Sequence, residues 1–137
     1  MSSEVLNIKT TMDRFFIQYL MLKKPIIEAR IGIVTGEKNI QIPAKILHVL
    51  AILLYYNNLY ADIEEEEDRW DKIFNRKHRD MYCESLDMKD SQLNTYFSML
   101  RKYKILIGNR VNKPFIIIPG KEEYELTFKF SINGDEK

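Results

Sequence analysis

Side chains able to bind a nucleic acid are concentrated in one stretch of the sequence, from Cys83 to the residues just beyond Lys104. Hydroxyl and amide groups that could reach base edges or phosphates are followed by cations that could contact phosphates. The candidates for base-edge or phosphate contacts are Ser91, Gln92, Asn94, Thr95 and Ser98, and the candidates for phosphate contacts are Arg101, Lys102, Arg110 and Lys113. The pattern is typical of a helix that presents a polar face to DNA.

Residues suited to catalysis are few, and their spacing favours structural roles. His48 lies within an apolar run and is expected to be structural, whereas His78 lies among basic residues and is expected to be solvated. Cys83 has no histidine nearby in the sequence, so a buried, inert thiol is expected. The sequence contains no zinc-type Cys/His spacing, no P-loop and no G-x-G-x-x-G, and the acidic run 64–68 lacks the spacing of an EF-hand loop. We therefore predict no enzyme, metal, cofactor or small-molecule substrate.

The polar stretch is expected to form a helix-turn-helix over about residues 77–104. Asp90 or Ser91 could cap the second helix, and Leu93, Phe97 and Leu100 follow the spacing of a buried helical face. Two apolar runs around a polar tip then predict a β-hairpin wing over about residues 105–119. This order of elements predicts an α+β, winged-helix-like fold.

An additional helix and hairpin are expected before this unit. Thr10 or Thr11 could cap a helix that Pro25 would end, since proline disfavours the α conformation in its predecessor. The apolar face of that helix would comprise Met12, Phe15, Phe16, Tyr19 and Leu20. The runs 26–34 and 40–42 are rich in β-branched residues, and with Gly36 between them they predict a hairpin.

The remaining segments complete a single domain over residues 1–137. Pro43 suits the first position of a helix, and the nearly continuous apolar run 46–56 predicts a central core helix. The acidic run 64–68 predicts a solvated helix start, and Asn75 is expected to end that helix and begin the next. Strict alternation over residues 124–132 predicts a half-buried strand, while Val5, Leu6 and Ile8 predict a short strand or a docking arm.

Composition limits the class of protein. The chain has 137 residues, a net charge of +1 and one cysteine, which excludes an intrachain disulfide and favours synthesis in the cytoplasm. The apolar run 46–56 is too short to span a bilayer, and residues 1–10 lack the apolar region of a signal peptide, so no membrane association is expected. The near-neutral charge provides little of the electrostatic attraction that a free DNA-binding protein needs.

Five sequence segments resemble a small virion-associated protein of crAss-like tailed bacteriophages. They are T-T-M-D-R-F-F-I-Q-Y-L-M-L-K-K-P-I-I, L-L-Y-Y-N, L-N-T-Y-F-S-M-L-R, N-K-P-F-I-I-I-P and E-L-T-F-K-F. The resemblance covers most of the chain but includes no catalytic motif. It implies a structural role in the virion, in the portal–neck–tail connector region, where small proteins form rings around the DNA channel.

These observations leave three functional hypotheses. The leading one is a non-enzymatic virion component that contacts other virion proteins and forms a homo-oligomeric ring, with Val5, Leu6 and Ile8 as candidate assembly contacts. The alternative is a winged-helix DNA-binding protein, either a phage regulator or a replication accessory factor. The third is an adaptor that recognises another protein through an edge strand.

Overall fold

The computed structural model describes residues 14–117, and these residues form six α-helices that surround one apolar core. The helices are α1 (described over residues 14–22), α2 (Lys24–Thr35), α3 (Ala44–Leu59), α4 (Glu66–Ile73), α5 (Arg76–Leu86) and α6 (Asp90–Lys102), and a short 3₁₀ helix follows at Lys113–Phe115. Within this part of the chain there is no strand longer than a single bridge, and no helix is long and apolar enough to cross a membrane.

The prediction of an α+β winged-helix fold is wrong, because the structure is a helical bundle. In place of a wing, residues 105–117 contain one antiparallel bridge, between Leu106 and Val111, and then the 3₁₀ helix. The backbone N–H groups of Ile105 and Leu106 both donate to the carbonyl of Leu100, at 2.9 and 3.1 Å, so they close the end of α6. Within residues 105–117, the pairing around the bridge is limited to two hydrogen bonds, from Ile107 to the carbonyl of Arg110 and from Asn112 to the carbonyl of Ile105. Pro114 has no N–H to offer to a ladder and favours the start of the 3₁₀ helix.

The hairpin predicted over residues 26–42 is also wrong, since most of it lies in α2. Ile27 and Ile31 are four residues apart and both fully buried, and this helical spacing outweighs the β-branched composition of the run. Gly36 does not form a hairpin turn. It adopts φ 76° as the left-handed cap of α2, and its N–H donates to the carbonyl of Gly32.

Pro25 begins a helix and does not end the preceding one. It lies in the first turn of α2, where a missing N–H removes no hydrogen bond. Lys23 separates α1 from α2, and its N–H donates to the carbonyls of Tyr19 and Leu20, both at 3.1 Å. The carbonyl of Lys23 in turn accepts from Ile27 at 2.9 Å, so the two helices follow each other with almost no interruption.

The prediction of a central apolar helix is confirmed by α3. Pro43 precedes this helix as its N-cap rather than occupying its first position. Every residue from Ile46 to Tyr56 except His48 is buried, and α3 contacts α4, α5 and α6. The edge-to-face pair of Phe16 and Tyr55, with ring centroids 5.7 Å apart, brings α1 against the same helix. Burial on nearly all sides explains why the run has almost no polar residue.

The two helices predicted over about residues 77–104 correspond to α5 and α6, which residues 87–89 join. Asn75 caps α5 as expected, with its side chain accepting the N–H of His78 at 2.9 Å. The cap of α6 is Lys89, not Asp90 or Ser91, and its N–H donates to the Gln92 side chain at 2.9 Å. The residues predicted to form the buried face of α6 are buried: Leu93, Phe97 and Leu100.

Several predictions concern residues outside the described range. They are the strand or arm at Val5, Leu6 and Ile8, the cap at Thr10 or Thr11, the core position of Met12, the end of the wing at 118–119, and the strand 124–132. The adaptor hypothesis depends on an edge strand, and residues 14–117 offer none. That hypothesis therefore depends wholly on residues beyond those that the structure describes.

Candidate functional site

The polar face of α6 is accessible along its whole length. The exposed residues include all five candidates for base-edge contacts, together with one of the candidate phosphate contacts: Ser91, Gln92, Asn94, Thr95, Ser98 and Lys102. These side chains therefore lie on one exposed face of α6, opposite the buried Leu93, Phe97 and Leu100. Exposure of this face is one requirement for a recognition helix.

Polar side chains at the start of α6 interact with α5 or with α6 itself. Asn94 accepts a hydrogen bond from the guanidinium of Arg79, and Asp90 lies 3.4 Å from Arg76 and 3.6 Å from Arg79. The Thr95 hydroxyl donates to the carbonyl of Ser91 at 3.0 Å. The contacts of Asp90 and Asn94 link α5 to α6, and a base edge would have to compete with Arg79 for the Asn94 amide.

Arg101 holds the turn that follows α6. Its Nε donates to the carbonyl of Gly108 at 3.0 Å and its Nη2 donates to Oδ1 of Asn109 at 2.9 Å. Gly108 adopts a φ of +60°, which glycine tolerates with little cost, so the turn can present this carbonyl to the guanidinium. Arg101 therefore positions the turn. Its guanidinium is engaged in these two hydrogen bonds, so a phosphate would have to share it with the turn.

Arg110 lies beside the acidic start of α4, where a cleft of about 480 Å³ opens. The walls of this cleft comprise Glu65, Glu66, Glu67, Trp70, Asp71, Ile107, Asn109 and Arg110. Four carboxylates therefore flank one guanidinium at the tip that was predicted to touch phosphate. The resulting negative potential opposes the approach of a nucleic-acid backbone.

His78 is buried, contrary to the prediction that it is solvated. Its Nε2 lies 2.7 Å from the Tyr60 hydroxyl and its Nδ1 lies 2.8 Å from Oδ1 of Asn75. Because the Asn75 oxygen can only accept, Nδ1 donates to it, and Nε2 makes the second hydrogen bond of the ring, with the Tyr60 hydroxyl. Burial also raises the pKa of Tyr60, which keeps that hydroxyl protonated. The group is a structural link between α3 and α5.

The other two candidates for chemistry, His48 and Cys83, are half-buried, so the Cys83 thiol is more accessible than was expected. Burial, followed by the charge of Lys45, lowers the pKa of His48. Burial, followed by Asp90 and Asp80, raises the pKa of the Cys83 thiol, which favours the unreactive protonated form. Over the same range, no three His, Cys, Asp or Glu side chains are grouped so that they could hold a metal ion.

Exposed apolar side chains are concentrated on α1 and α2, a feature that the sequence analysis assigned partly to the core. Six of the eight large apolar side chains that are exposed among the described residues belong to these helices: Phe15, Met21, Leu22, Ile26, Ile33 and Val34. Leu22 and Ile33 are 79% and 83% exposed, whereas Phe16, Tyr19 and Leu20 are buried as predicted for a helix that packs on the core. We call Phe15, Met21, Leu22 and Ile26 the N-terminal apolar patch.

A second cleft, of about 410 Å³, lies at the other end of α2. Its lining is apolar with two cations at its edge: Ile33, Val34, Pro114 and Ile116, with Arg30 and Lys113. Arg30 donates from Nη1 to the carbonyl of Pro114 at 2.8 Å, which joins α2 to the 3₁₀ helix. We call this feature the α2 cleft.

Comparisons of the chain with known proteins found no relative. No protein-family model matches the chain, and no match is found among curated proteins or solved structures.

Proposed function

We propose that this protein is a non-enzymatic structural component that acts through protein–protein contacts, and that the N-terminal apolar patch is its main contact surface. The observation that carries the proposal is the exposure of large apolar side chains on α1 and the start of α2, with Leu22 79% exposed. Large exposed apolar surface usually marks an interface, because covering it with another protein removes it from water.

The patch can be covered without rearranging the core. Phe16, Tyr19 and Leu20 occupy the inward face of α1, so the outward face is a separate surface on a helix that is already anchored. Burying a leucine side chain from full exposure contributes about 1.5–3 kcal/mol. Covering the four large apolar side chains of the patch would therefore contribute favourable free energy to association. The candidate assembly contacts Val5, Leu6 and Ile8 precede this helix in the sequence and are proposed as further contacts of the same interface.

Within this class, we propose a homo-oligomeric ring component of a tailed-phage virion, located in the portal–neck–tail connector. This finer assignment is supported by the resemblance of the five sequence segments to crAss-like phage virion proteins. The near-neutral charge and the lack of a catalytic arrangement in residues 14–117 agree with a structural role. Other virion proteins and further copies of this chain would be its partners.

Sedimentation velocity of the full-length protein and of Leu22→Asp tests the contact surface. The wild-type protein should form oligomers at micromolar concentrations, and a carboxylate at the centre of the patch should leave monomers with an unchanged circular dichroism spectrum. Ile107→Asp is the matched control, since Ile107 is 46% exposed but lies in the turn after α6. Equal sedimentation of wild-type and Leu22→Asp proteins would reject the patch as the contact surface.

A second candidate function is DNA binding through α6, which the exposed polar face of this helix favours. Such binding would occur without a wing, with Ser98 and Lys102 exposed toward the C-terminal end of the face. The acidic walls around Arg110 and the structural engagement of Arg101 make this the weaker candidate. Fluorescence anisotropy at physiological salt with a selected-library duplex distinguishes the two functions. Specific binding at about 10⁻⁸ M that Lys102→Ala weakens would favour the DNA-binding candidate.

A further inference from the structure

We propose that the α2 cleft is the docking site of this chain's own C-terminal segment, residues 121–132. These residues lie outside the described range. The cleft is a different surface from the N-terminal apolar patch, so the inference does not rest on the proposed assembly function.

The position at which the described chain stops supports this occupant. Ile116 is part of the cleft wall, and Ile117 is the last residue that the structure describes. The sequence continues through Pro119-Gly120, a pair typical of a type II turn, with proline at the second and glycine at the third position. Such a turn reverses the chain within four residues. After such a turn, residues 121–132 would run back toward the cleft wall that Ile116 forms.

The segment has a row of apolar side chains that could cover the exposed apolar lining of the cleft. Alternate positions of this segment are apolar: Tyr124, Leu126, Phe128, Phe130 and Ile132. In an extended conformation these side chains share one face, which needs an apolar surface to cover it. The cleft and the adjoining surface of α2 offer Ile33, 83% exposed, and Val34, 41% exposed. Each surface would therefore cover apolar area that the other leaves in water.

Charge is complementary between the two surfaces. Arg30 and Lys113 lie at the edge of the cleft, and the segment begins with three carboxylates, at Glu122, Glu123 and Glu125. The hydrogen bond from Arg30 to the carbonyl of Pro114 uses one of the five donors of the guanidinium. The remaining donors can meet a carboxylate of the segment as it enters the cleft.

Cysteine cross-linking in the full-length chain tests the inference. Cys83 is the only native cysteine, so Cys83→Ser gives a background without thiols. In that background Ile33→Cys is combined in turn with Leu126→Cys or Phe128→Cys on the apolar face. The matched controls combine Ile33→Cys with Thr127→Cys or Lys129→Cys on the opposite face. Mild oxidation is followed by electrophoresis without reductant, which separates a bridge within one chain from a bridge between two chains.

We expect an intramolecular disulfide for at least one apolar-face pair, formed at least tenfold faster than for either control pair. Disulfide formation requires Cα atoms within about 7 Å, so a fast reaction reports real proximity. Equal rates for both faces, or no bridge at all, would overturn the inference. Bridges that form only between chains would also overturn it, and they would assign the cleft to the segment of a second copy. Because the readout is a bond within one chain, it does not depend on whether the protein assembles.

Discussion

Replacing Leu100 by alanine should destabilise the bundle strongly, because this side chain lies in the interface between α6 and the central helix α3. Leu100 is fully buried, and α6 packs against both α3 and α5. Leucine-to-alanine changes in cores cost about 2–5 kcal/mol, and complete burial places this one near 3–4 kcal/mol. That is a large part of a typical total stability of about 5–15 kcal/mol.

The expected shift in the thermal midpoint follows from the size of the chain. An unfolding entropy of about 2.1 cal/mol/K per residue, over 137 residues, gives about 0.29 kcal/mol/K. A loss of 3–4 kcal/mol therefore lowers the midpoint by about 10–14 °C, which circular dichroism at 222 nm would measure. Ser98→Ala, two positions earlier on the exposed face, is the control and should change stability by less than about 0.5 kcal/mol. A midpoint for Leu100→Ala equal to that of the control would refute the assignment of the buried face.

Three further predictions concern the polar side chains Arg101, Asn75 and His48. Arg101→Ala should speed amide exchange in the turn around Gly108, and Arg101→Lys should not restore protection, because lysine cannot donate both hydrogen bonds in a fixed plane. Asn75→Ala should cost about 1–2 kcal/mol in denaturant titrations, whereas Asn75→Asp, which keeps the acceptor for the helix cap, should cost less. His48 has its pKa lowered by burial and by Lys45, so the unfolded chain takes up its proton first as pH falls below about 6.5. Stability should therefore decrease as the pH falls through about 6.5, and His48→Gln should make that decrease smaller. An unchanged slope would contradict this account.

The elements that were predicted correctly are those with an unambiguous period or a strong cap. The run 46–56 is apolar on all sides and is the buried helix α3, and the 3.6-residue spacing of Leu93, Phe97 and Leu100 matches the inward face of α6. Asn75 marks the start of α5, because its short side chain can accept from the helix N-terminus. These features depend on local physics, which a single sequence contains.

The incorrect predictions arise where composition and period disagree. Residues 26–34 are rich in isoleucine and valine, but the four-residue spacing of Ile27 and Ile31 and the left-handed cap at Gly36 favour α2. The wing failed for a different reason. The backbone N–H groups at the start of its predicted first strand donate to the carbonyl of Leu100, and Lys104 adopts a left-handed φ of 65°. This is a local helix C-cap, which the sequence did not indicate because the left-handed position is not a glycine.

Burial of single polar residues was the least predictable feature of the candidate site. His78 has charged neighbours in sequence, yet it lies against Tyr56, Tyr60 and Tyr82, with ring centroids 5.5–6.2 Å away. Only its position three residues after the Asn75 cap, on the inward side of α5, could have indicated this. Phe15 shows the converse case, because it was expected on the apolar face with which the N-terminal helix packs on the core, and it is 44% exposed.

Quantitative mass spectrometry of gradient-purified particles, released from the host that carries this sequence, tests the proposed virion role most directly. We predict a fixed, multiple copy number of this chain per particle, as a ring requires. The same measurement on particles made with Leu22→Asp should show the chain lost from the particle while it remains folded in the lysate. A protein found in the lysate and absent from purified particles, and monomeric at every concentration, would contradict the proposal.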